Sequence, residues 1–387
     1  MPIRLQCCII PNMTNIAFTG GGTGGHIYPG LAVAENLGER LAGPGLGVFW
    51  IGSNRGMDRA IVEGAGIEFH GVPAGKLRRH FSLRTIPDAF RVVAGFFAAR
   101  RVLKKLNARL LFSKGGYVSV PPCAAAASLG IPVFAHESDF SPGLATRINM
   151  RFVRRTGGAV FAAYEDSARA LSRRARGKAT VSGNPVRRAF RSADPARGRA
   201  FLGTGANERV LLVLGGSQGA REVNDLVRAC LGALRERYVV VHQRGPGGAP
   251  GDERDGRYVP LDYIDGEMPH VLAAAEIVVG RGGAGTVWEC AALGKPMILI
   301  PLRGAGTRGD QVENARFFER EGAAVVLESP TPADLERAVA GLAEDPARRD
   351  RMAAAAARIG GLDGAAIIGA SIVDALRRAG EARGASQ

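Results

Sequence analysis

Short apolar segments alternate with longer amphipathic segments along most of the chain. In the first half these segments are GVFWIG, LLFSKGG, IPVFAHE and GAVFAA, and in the second half they are YVVVHQ, EIVVGRGG, PMILIPL and AAVVLE. Such apolar strands are typical of parallel sheets covered by helices on both faces, and their alternation with helical patterns is typical of βαβ units. The pattern predicts an α/β fold with two Rossmann-like parallel-sheet domains.

The two halves of the chain begin alike. Residues 15–37 have the pattern of a strand, a glycine-rich loop and a helix, and residues 209–231 repeat it. Prolines, glycines and arginines interrupt the periodicity at 182–198, where we expect the joint between domains. We therefore expect an N-terminal domain over 1–185, with 1–12 as an extension, and a C-terminal domain over 186–355. We expect helices over 356–387 that pack back on the first domain and end in a flexible tail.

Composition narrows the class of protein. The chain of 387 residues is long enough for two cores, and 46% apolar with 22% charged residues is typical of soluble globular proteins. Its five cysteines lack C-x-x-C spacing, which favours unpaired thiols in a reducing compartment. The opening ten residues have no recognisable secretion signal, and the longest apolar run, VVAGFFAA, is far below the ~20 residues of a spanning helix. We expect a protein that is not integral to a membrane.

The net charge of +15 is concentrated in one half. Residues 1–183 carry 24 Lys and Arg against 10 Asp and Glu, whereas residues 184–387 carry 27 against 26. This asymmetry predicts that the first half faces an anionic partner, which leaves nucleic acid, a membrane surface or a phosphate-bearing substrate open. No nucleic-acid reader motif accompanies the charge, so we expect no nucleic-acid partner.

The first loop has five glycines among the six residues 20–25. Glycine lets backbone N–H groups approach a ligand closely, and the following helix adds positive potential at its N-terminus. The loop is therefore a candidate cradle for a phosphate or a sugar, with a simple tight turn as the alternative; no Gly-Lys-Ser/Thr of a Walker loop follows. His26 at the loop exit is a candidate general base or a candidate hydrogen-bond donor to a phosphate. The alternative is a structural histidine.

A similar arrangement occurs at 278–302, where a strand is followed by Gly-Gly-Ala-Gly-Thr and a helix. The backbone N–H groups of such a loop can bind an anion. Glu289 lies in the first turns of that helix, where its carboxylate has two possible roles. It can accept both hydroxyls of a ribose, or it can complement the helix dipole without a ligand.

Six motifs occur in a fixed order: GGTGGHIYPGLAVA, SKGGYVSVPPCAAA, HESDFSPGLA, SGNPVR, LGGSQGAREVN and GRGGAGTVWECAALGKPMILIPL with DQVENA after it. In order and spacing they resemble the bacterial lipid-I N-acetylglucosaminyltransferases, the MurG family, over nearly the whole chain. The resemblance implies a GT-B glycosyltransferase, in which two Rossmann-like domains face a cleft and no metal or other cofactor is required. It implies a hexosyltransferase that moves N-acetylglucosamine (GlcNAc) from UDP-GlcNAc, with inversion, to the 4-hydroxyl of undecaprenyl-pyrophosphoryl-MurNAc-pentapeptide (lipid I). The product would be lipid II for peptidoglycan synthesis, which connects the protein to cell shape and cell division.

The resemblance also implies site residues by position. His26 is the candidate base, or a pyrophosphate contact, and Glu137 is the second catalytic candidate. Glu289 is expected on the ribose and Gln311 near the GlcNAc sugar. The donor-binding candidates are Thr23, Gly24, Gly25, Asp139, Arg187, Ser217, Ile264, Ala284, Gly285, Thr286, Val287, Trp288, Glu289 and Gln311. The acceptor-side candidates are His26, Tyr117, His136, Glu137 and Asn224.

Some positions depart from the usual family pattern. Asp139 stands where the family commonly has Asn, so a hydrogen-bond donor is replaced by an acceptor. Gly282, the Gly-Asp pair before Gln311, and the pair at 146–147 also differ from the common residues. These departures affect the expected fine contacts to the donor and leave the expected reaction class unchanged.

A basic and apolar segment lies between residues 76 and 109. It contains ten Lys and Arg, one acidic residue and several large apolar side chains, and residues 147–155 add a second basic cluster. Cations that flank an apolar patch suit anionic lipid headgroups, whereas a solvated helix face or a core strip is the ordinary alternative. With the family resemblance, we expect a peripheral protein on an anionic phospholipid surface, at the cytoplasmic face of the bacterial inner membrane. A partner in a division or elongation complex is left open.

Three rival functions are weighed against the transferase. Another UDP-sugar-dependent GT-B enzyme, acting on a membrane lipid or as an epimerase, is disfavoured by the HESDFSPG and KGGY motifs. A nicotinamide-dependent oxidoreductase needs an acidic residue at the end of the second strand, where this chain has Ser53 and Asn54. A basic scaffold without activity would not require the glycine loops.

Overall fold

The computed structural model describes residues 14–41, 45–75, 85–175, 177–215, 219–246, 254–304 and 309–384. These residues divide into two units. The first unit contains the described residues up to 137, then 142–185 and 364–384. The second unit contains 138–141 and the described residues of 186–363.

Each unit has one parallel sheet. The strands of the first are β1 (Thr14–Thr19), β2 (Leu46–Ser53), β3 (Glu68–Val72), β4 (Ala108–Ser113), β5 (Val133–Glu137), β6 (Val160–Ala162) and β7 (Thr180–Val181). Those of the second are β8 (Val210–Leu214), β9 (Val239–Gln243), β10 (Tyr258–Leu261), β11 (Ile277–Gly280), β12 (Met297–Leu299) and β13 (Ala324–Val326).

Fifteen helices are seen in the described residues. The first six are α1 (Tyr28–Arg40), α2 (Asp58–Gly64), α3 (Thr85–Lys105), α4 (Val120–Ser128), α5 (Leu144–Thr156) and α6 (Glu165–Ala175). They are followed by α7 (Arg188–Arg191), α8 (Pro195–Leu202), α9 (Arg221–Arg237), α10 (Met268–Ala274), α11 (Ala284–Ala292), α12 (Asp310–Arg320), α13 (Pro332–Ala343), α14 (Pro346–Gly360) and α15 (Gly364–Gly384).

The first sheet has the strand order β3-β2-β1-β4-β5-β6-β7. Side chains of its central strand alternate between two cores, as the pleat of a strand requires. Ile16 and Phe18 pack in one core with residues of α1 and α15, while Ala17 packs in the other with residues of α3 to α6. Both faces are thus covered by helices, which explains why the strands read as continuous apolar runs.

The second sheet has the order β10-β9-β8-β11-β12-β13, again with parallel neighbours. Leu211 and Val213 pack with residues of α9 and α13 on one face. In each sheet the strand order reverses at the first strand, which is β1 or β8. Ligands of open α/β sheets bind beyond the carboxyl ends of the strands at such a point. The prediction of an α/β fold with two Rossmann-like parallel-sheet domains is confirmed.

The last two helices belong to different units. In α14, Gly360 lies so close to the backbone of Ala291 that a Cβ would overlap it, which places this helix on the second unit. In α15, Ile368 and Ile372 are fully buried in the core of the first unit, and Arg40 of α1 donates to Ala366 O at 3.2 Å. Only the helix that begins at Gly364 therefore packs on the first unit, rather than the whole stretch 356–387.

By length and composition alone, the stretch Pro346–Glu381 is apolar enough to cross a membrane. It consists of two helices, α14 and α15, separated at residues 361–363. Nearly half of its apolar window is buried inside the protein. Its buried apolar side chains, among them Ala356, Ile368 and Ile372, belong to the packed interiors of the two units.

Candidate functional site

The first glycine loop follows β1 and is fixed by groups from neighbouring elements. Trp50 of β2 donates from Nε1 to Gly20 O at 3.0 Å. Gly20 and Gly116 permit close packing, because a Cβ on either residue would lie 2.6 Å from a backbone oxygen of His26 or Gly21, respectively. The loop is therefore closely packed where it leaves the sheet.

Beyond this packed part the loop is open. A single turn of 3-10 helix over Gly24–His26 continues into α1, so the backbone N–H groups of Thr23, Gly24 and Gly25 stand at a helix N-terminus. They form no backbone hydrogen bond within the part of the chain that the structure describes. Exposed N–H groups at the start of a helix can bind an anion such as a diphosphate.

His26 ends this turn and is partly exposed. Its ring lies against the backbone of Gly116, where an added Cβ would be 3.0 Å from Cδ2. A partly exposed imidazole beside open amides can take a proton from a bound hydroxyl or donate to a phosphate. The geometry allows both of the roles expected for it.

Tyr117 covers the same loop from the other side. It follows Gly115 and Gly116, which both have positive φ, and its Cε1 would lie 2.8 Å from a Cβ on Gly22. Burial raises the pKa of Tyr117, and the nearby Asp58 adds to this effect. The phenol is therefore held in its neutral form beside Gly22 of the loop, and its role on the acceptor side stays a prediction.

His136 and Glu137 end β5 and are both buried. His136 Nε2 is 3.0 Å from Gly183 O. Its burial, together with nearby Lys114, holds the pKa of His136 well below the ordinary value. Glu137 Oε2 accepts from Gly143 N at 3.0 Å. His136, in its neutral form, thus holds the segment that follows β7, and Glu137 holds the segment that follows β5. Neither side chain is open to solvent.

In the second unit, α11 presents the other candidate anion site. Residues 283–286 are partly exposed, whereas Val287 and Trp288 are buried, with Trp288 edge-on to Phe318. Val287 and Trp288 therefore offer a ligand at most their backbone, because their side chains belong to the core.

Glu289 of α11 is partly exposed as a residue, while its carboxyl group is surrounded by protein. Loss of hydration raises the pKa of Glu289 to about 7, although the nearby Arg187 acts to lower it. Arg187 itself stacks over Phe190, with 5.3 Å from its guanidinium carbon to the ring centre. Glu289 can therefore bind a ribose hydroxyl, and Arg187 can bind a phosphate.

Asn314 joins two positions at which the sequence departs from the family pattern, Asp139 and Gly282. Its Nδ2 donates to Asp139 Oδ1 at 3.3 Å and to Gly282 O at 3.2 Å, and its Oδ1 accepts from Phe140 N at 2.9 Å. Gly282 lies so close to Gln311 O that a Cβ would overlap it. The sequence analysis missed Asn314, and its place in DQVENA, one helical turn after Gln311, is the signal that could have found it.

The remaining candidates also lie on the second unit. Asn224 donates from Nδ2 to Arg244 O at 2.8 Å, and its Oδ1 lies 3.1 Å from His242 Nε2. Both contacts hold Asn224 at the end of β9. Ile264 donates from its backbone N to Gln243 Oε1 at 2.9 Å. Ser217 lies outside the described residues.

The candidates thus form two groups. The first unit brings together Thr23, Gly24, Gly25, His26 and Tyr117, and the second brings together Arg187 with Glu289, and Asp139 with Gln311 through Asn314. Within the described residues, no three His, Cys, Asp or Glu side chains group as ligands for a metal. The expectation that the reaction requires no metal stays a prediction.

Two parallel-sheet domains with glycine loops at their strand ends define the GT-B class of glycosyltransferases. Residues 16–157 match the Glycosyltransferase family 28 N-terminal domain, and residues 210–366 match the Glycosyltransferase family 28 C-terminal domain. The chain belongs to glycosyltransferase family 28.

Curated relatives agree over most of the chain. A protein of Treponema denticola is 48% identical over 335 residues, which cover 81% of this chain and 84% of the relative. A protein of Lachnoclostridium phytofermentans is 40% identical over 316 residues, which cover 81% and 86%. Both are named UDP-N-acetylglucosamine--N-acetylmuramyl-(pentapeptide) pyrophosphoryl-undecaprenol N-acetylglucosamine transferase. The resemblance to the MurG family and the expected transferase class are confirmed.

Solved structures agree in fold. The crystal structure of Acinetobacter baumannii MurG superposes with a TM-score of 0.69 at 23% identity, covering 94% of this chain and 99% of that one. A UDP-N-acetylglucosamine 2-epimerase of Listeria monocytogenes, described as putative, has a TM-score of 0.67 at 13% identity, covering 95% and 97%. At these identities the likeness concerns the fold alone.

Proposed function

We propose that this protein transfers GlcNAc from UDP-GlcNAc to the 4-hydroxyl of lipid I, with inversion at the anomeric carbon, and so produces lipid II for peptidoglycan synthesis. The observation that carries the proposal is the relative of 48% identity over 81% of the chain, whose name states this transfer. The two groups of candidate residues described above support it, because each offers the chemistry that one substrate requires.

The second unit is proposed to bind the donor. Arg187 and the N-terminus of α11 attract the diphosphate, and Glu289 in its ionised form accepts hydrogen bonds from the ribose hydroxyls. Ile264 and Ser217 are proposed on the nucleoside side. Asp139, which accepts from Asn314, and Gln311, which lies one turn before Asn314 in α12, are proposed at the GlcNAc ring.

The first unit is proposed to bind the acceptor and to start the reaction. His26 takes the proton of the 4-hydroxyl while that oxygen bonds to the anomeric carbon. The bond from this carbon to the diphosphate oxygen breaks, and its electron pair leaves with UDP. The amides of Thr23, Gly24 and Gly25 stabilise the charge that develops on a diphosphate, because they are fixed before the reaction begins. Glu137 and His136 keep the surrounding backbone in place.

A surface of α3 is proposed to hold the protein on the membrane. Phe90, Val93 and Phe97 are 72%, 57% and 62% exposed. Cations on the same helix include Arg101, Lys104 and Lys105, and α5 exposes further arginines. Exposed apolar side chains followed by cations on one helix suit an anionic bilayer surface, at about 1 kcal/mol for each cation near it. Residues 76–84 of the predicted basic segment lie outside the described residues. We propose a peripheral enzyme at the cytoplasmic face.

A donor-by-acceptor assay tests the proposed reaction. The purified full chain is incubated with labelled UDP-GlcNAc or another labelled UDP-sugar, and with a short-chain lipid I or another glycolipid as acceptor. Transfer is expected only for UDP-GlcNAc with lipid I, and a chelator is expected to leave the rate unchanged. Folded protein that neither transfers the sugar nor binds UDP-GlcNAc would contradict the proposal.

A further inference from the structure

Asp58 is a buried carboxyl that the proposed reaction does not use. It begins α2 and is only 1% exposed. Burial raises the pKa of Asp58, because the carboxylate loses hydration there. A buried carboxyl is costly unless hydrogen bonds compensate for the lost water, so its partners indicate why it is present.

The partners of Asp58 are two backbone amides, one from a loop and one from the end of a strand. Gly22 N donates to Oδ1 at 3.0 Å, and Ser53 N donates to Oδ2 at 3.2 Å. Gly22 belongs to the first glycine loop, and Ser53 ends β2. The carboxylate therefore joins the glycine loop to the neighbouring strand through one acceptor for each amide. Both hydrogen bonds are strongest with the ionised form, in which both oxygens accept and neither carries a proton.

The glycine loop is shaped around this carboxyl. A Cβ on Gly21 would overlap Oδ2 of Asp58, and Gly22 has φ +88° with the Tyr117 ring against its open side. In contrast, a Cβ on Gly25 would come no closer than 3.8 Å to Thr23 Oγ1. The run of glycines thus has two parts. Gly21 and Gly22 fit the protein itself, whereas the backbone amides of 23–25 remain open to a ligand, although a Cβ on Gly24 would lie 3.1 Å from the Tyr28 ring.

We infer that Asp58 is a positioning residue for the transfer reaction. By holding Gly22 and Ser53, it fixes the base of the loop, so that the amides of residues 23–25 and the ring of His26 keep their places. It also occupies the amide of Gly22, which leaves that group out of substrate binding. The inference rests on the proposed function for its kinetic consequence, whereas the hold on the loop is independent of it.

Asp58→Asn tests the inference with little change in shape. The amide offers one acceptor and one donor, so one of the two backbone amides loses its partner. We expect kcat to fall by about 10- to 100-fold, since small displacements of reacting groups have effects of this size. The dissociation constant of uridine, which lacks the diphosphate, should change by less than about threefold, because the residues proposed for the nucleoside lie on the second unit. Unchanged kcat would overturn the inference. A loss of uridine affinity together with a loss of melting temperature would also overturn it, since this would indicate a general structural role.

Gly21→Ala reaches the same contact from the other side. Its Cβ would displace the carboxyl while the charge of Asp58 is retained, so the same loss of kcat is expected. If both variants act through one contact, the double variant should be no slower than the slower single variant. Gly38→Ala in α1 is the matched control, because its Cβ would meet nothing within 4 Å. Independent effects of the two substitutions would overturn the shared contact.

Hydrogen exchange separates this inference from the proposed function. Within the 20–25 segment, the amide of Gly22 should exchange faster in Asp58→Asn than in the unsubstituted protein, with exchange in the second unit unchanged. This result is expected even if the unsubstituted protein fails to transfer GlcNAc to lipid I, which would count against the proposed function alone. Equal exchange of the 20–25 segment in both proteins would overturn the inference.

Discussion

Asn314 of α12 donates a hydrogen bond to Asp139, a residue that lies 175 positions earlier in the chain, at 3.3 Å. The same Asn314 accepts from the backbone of Phe140 at 2.9 Å. Through these bonds, the segment 138–141 belongs to the second unit although it directly follows a strand of the first. The carboxylate of Asp139 thereby becomes part of the candidate donor site.

This relationship predicts opposite results for two similar substitutions. Asp139→Asn keeps an oxygen that accepts from Asn314, so donor KM and stability should change little. Asn314→Asp places a second carboxylate against the first and removes the donor to Gly282 O, so we expect a loss of about 1–3 kcal/mol in unfolding free energy and a raised donor KM. Urea unfolding and steady-state kinetics measure both effects. Equal behaviour of the two variants would contradict the role of Asn314.

Glu289 predicts a pH dependence of donor binding. Since burial raises the pKa of Glu289 to about 7, the ionised form that accepts from ribose is gained as the pH rises through that value. The affinity for UDP-GlcNAc, measured by calorimetry from about pH 5.5 to about pH 8.5, should therefore increase and then level off. Glu289→Gln should bind more weakly at high pH and show no such rise. A rise that persists in the glutamine variant would assign the titration to another group.

The raised pKa of Glu289 has the opposite effect on stability, because the free energy of unfolding falls as the pH rises. Between the ordinary value of 4.5 and about 7, the folded state keeps a proton that the unfolded state has released. The contribution of Glu289 to the free energy of unfolding should then fall by about 1.4 kcal/mol per pH unit in this window. Glu289→Gln should remove this slope from the pH dependence of urea unfolding, and an unchanged slope would speak against a raised pKa.

His26→Ala distinguishes a base from a binding residue. If His26 takes the proton of the acceptor hydroxyl, kcat should fall by about 100-fold or more, with the affinity for UDP-GlcNAc nearly unchanged. The measurement is turnover at saturating substrates together with donor titration. Preserved turnover at saturation with weakened donor binding would indicate a phosphate contact instead.

The exposed face of α3 predicts a separable membrane function. The double variant Phe90→Ser with Phe97→Ser should lose cosedimentation with anionic vesicles, because it removes apolar surface that inserts at the interface. Its rate with a short-chain acceptor in detergent should stay unchanged. Phe201→Ser is the matched control, since Phe201 is 44% exposed on the second unit. Vesicle binding that survives the double substitution would place the membrane contact elsewhere.

Much of the fold could be predicted from the sequence, because most strands are covered on both faces and therefore form apolar runs. The strands β3, β7 and β10 were not singled out. In β3, exposed Glu68 and Gly71 interrupt the apolar positions, and β7 has only two residues. Burial decides these cases, and it depends on neighbours that the local sequence does not contain.

The candidate site could be predicted in part. The glycine loops and Glu289 follow from local patterns, since each lies between a strand and a helix. The side chains of Val287 and Trp288 belong to the core, which the motif alone could not indicate. Asp58 and Asn314 were missed because their importance comes from contacts with residues 36 and 175 positions away in the chain.

The last helix closes the polypeptide on the domain where it started. Ile368 and Ile372 fill the same core as Phe18, so the first domain combines the chain up to residue 185, apart from 138–141, with the last helix, and most of the second domain lies between them in the sequence. A fragment that stops near residue 185 would leave an apolar groove on α1 uncovered and would tend to aggregate. An autonomous first domain therefore requires residues 364–384 to be joined to it by a short linker.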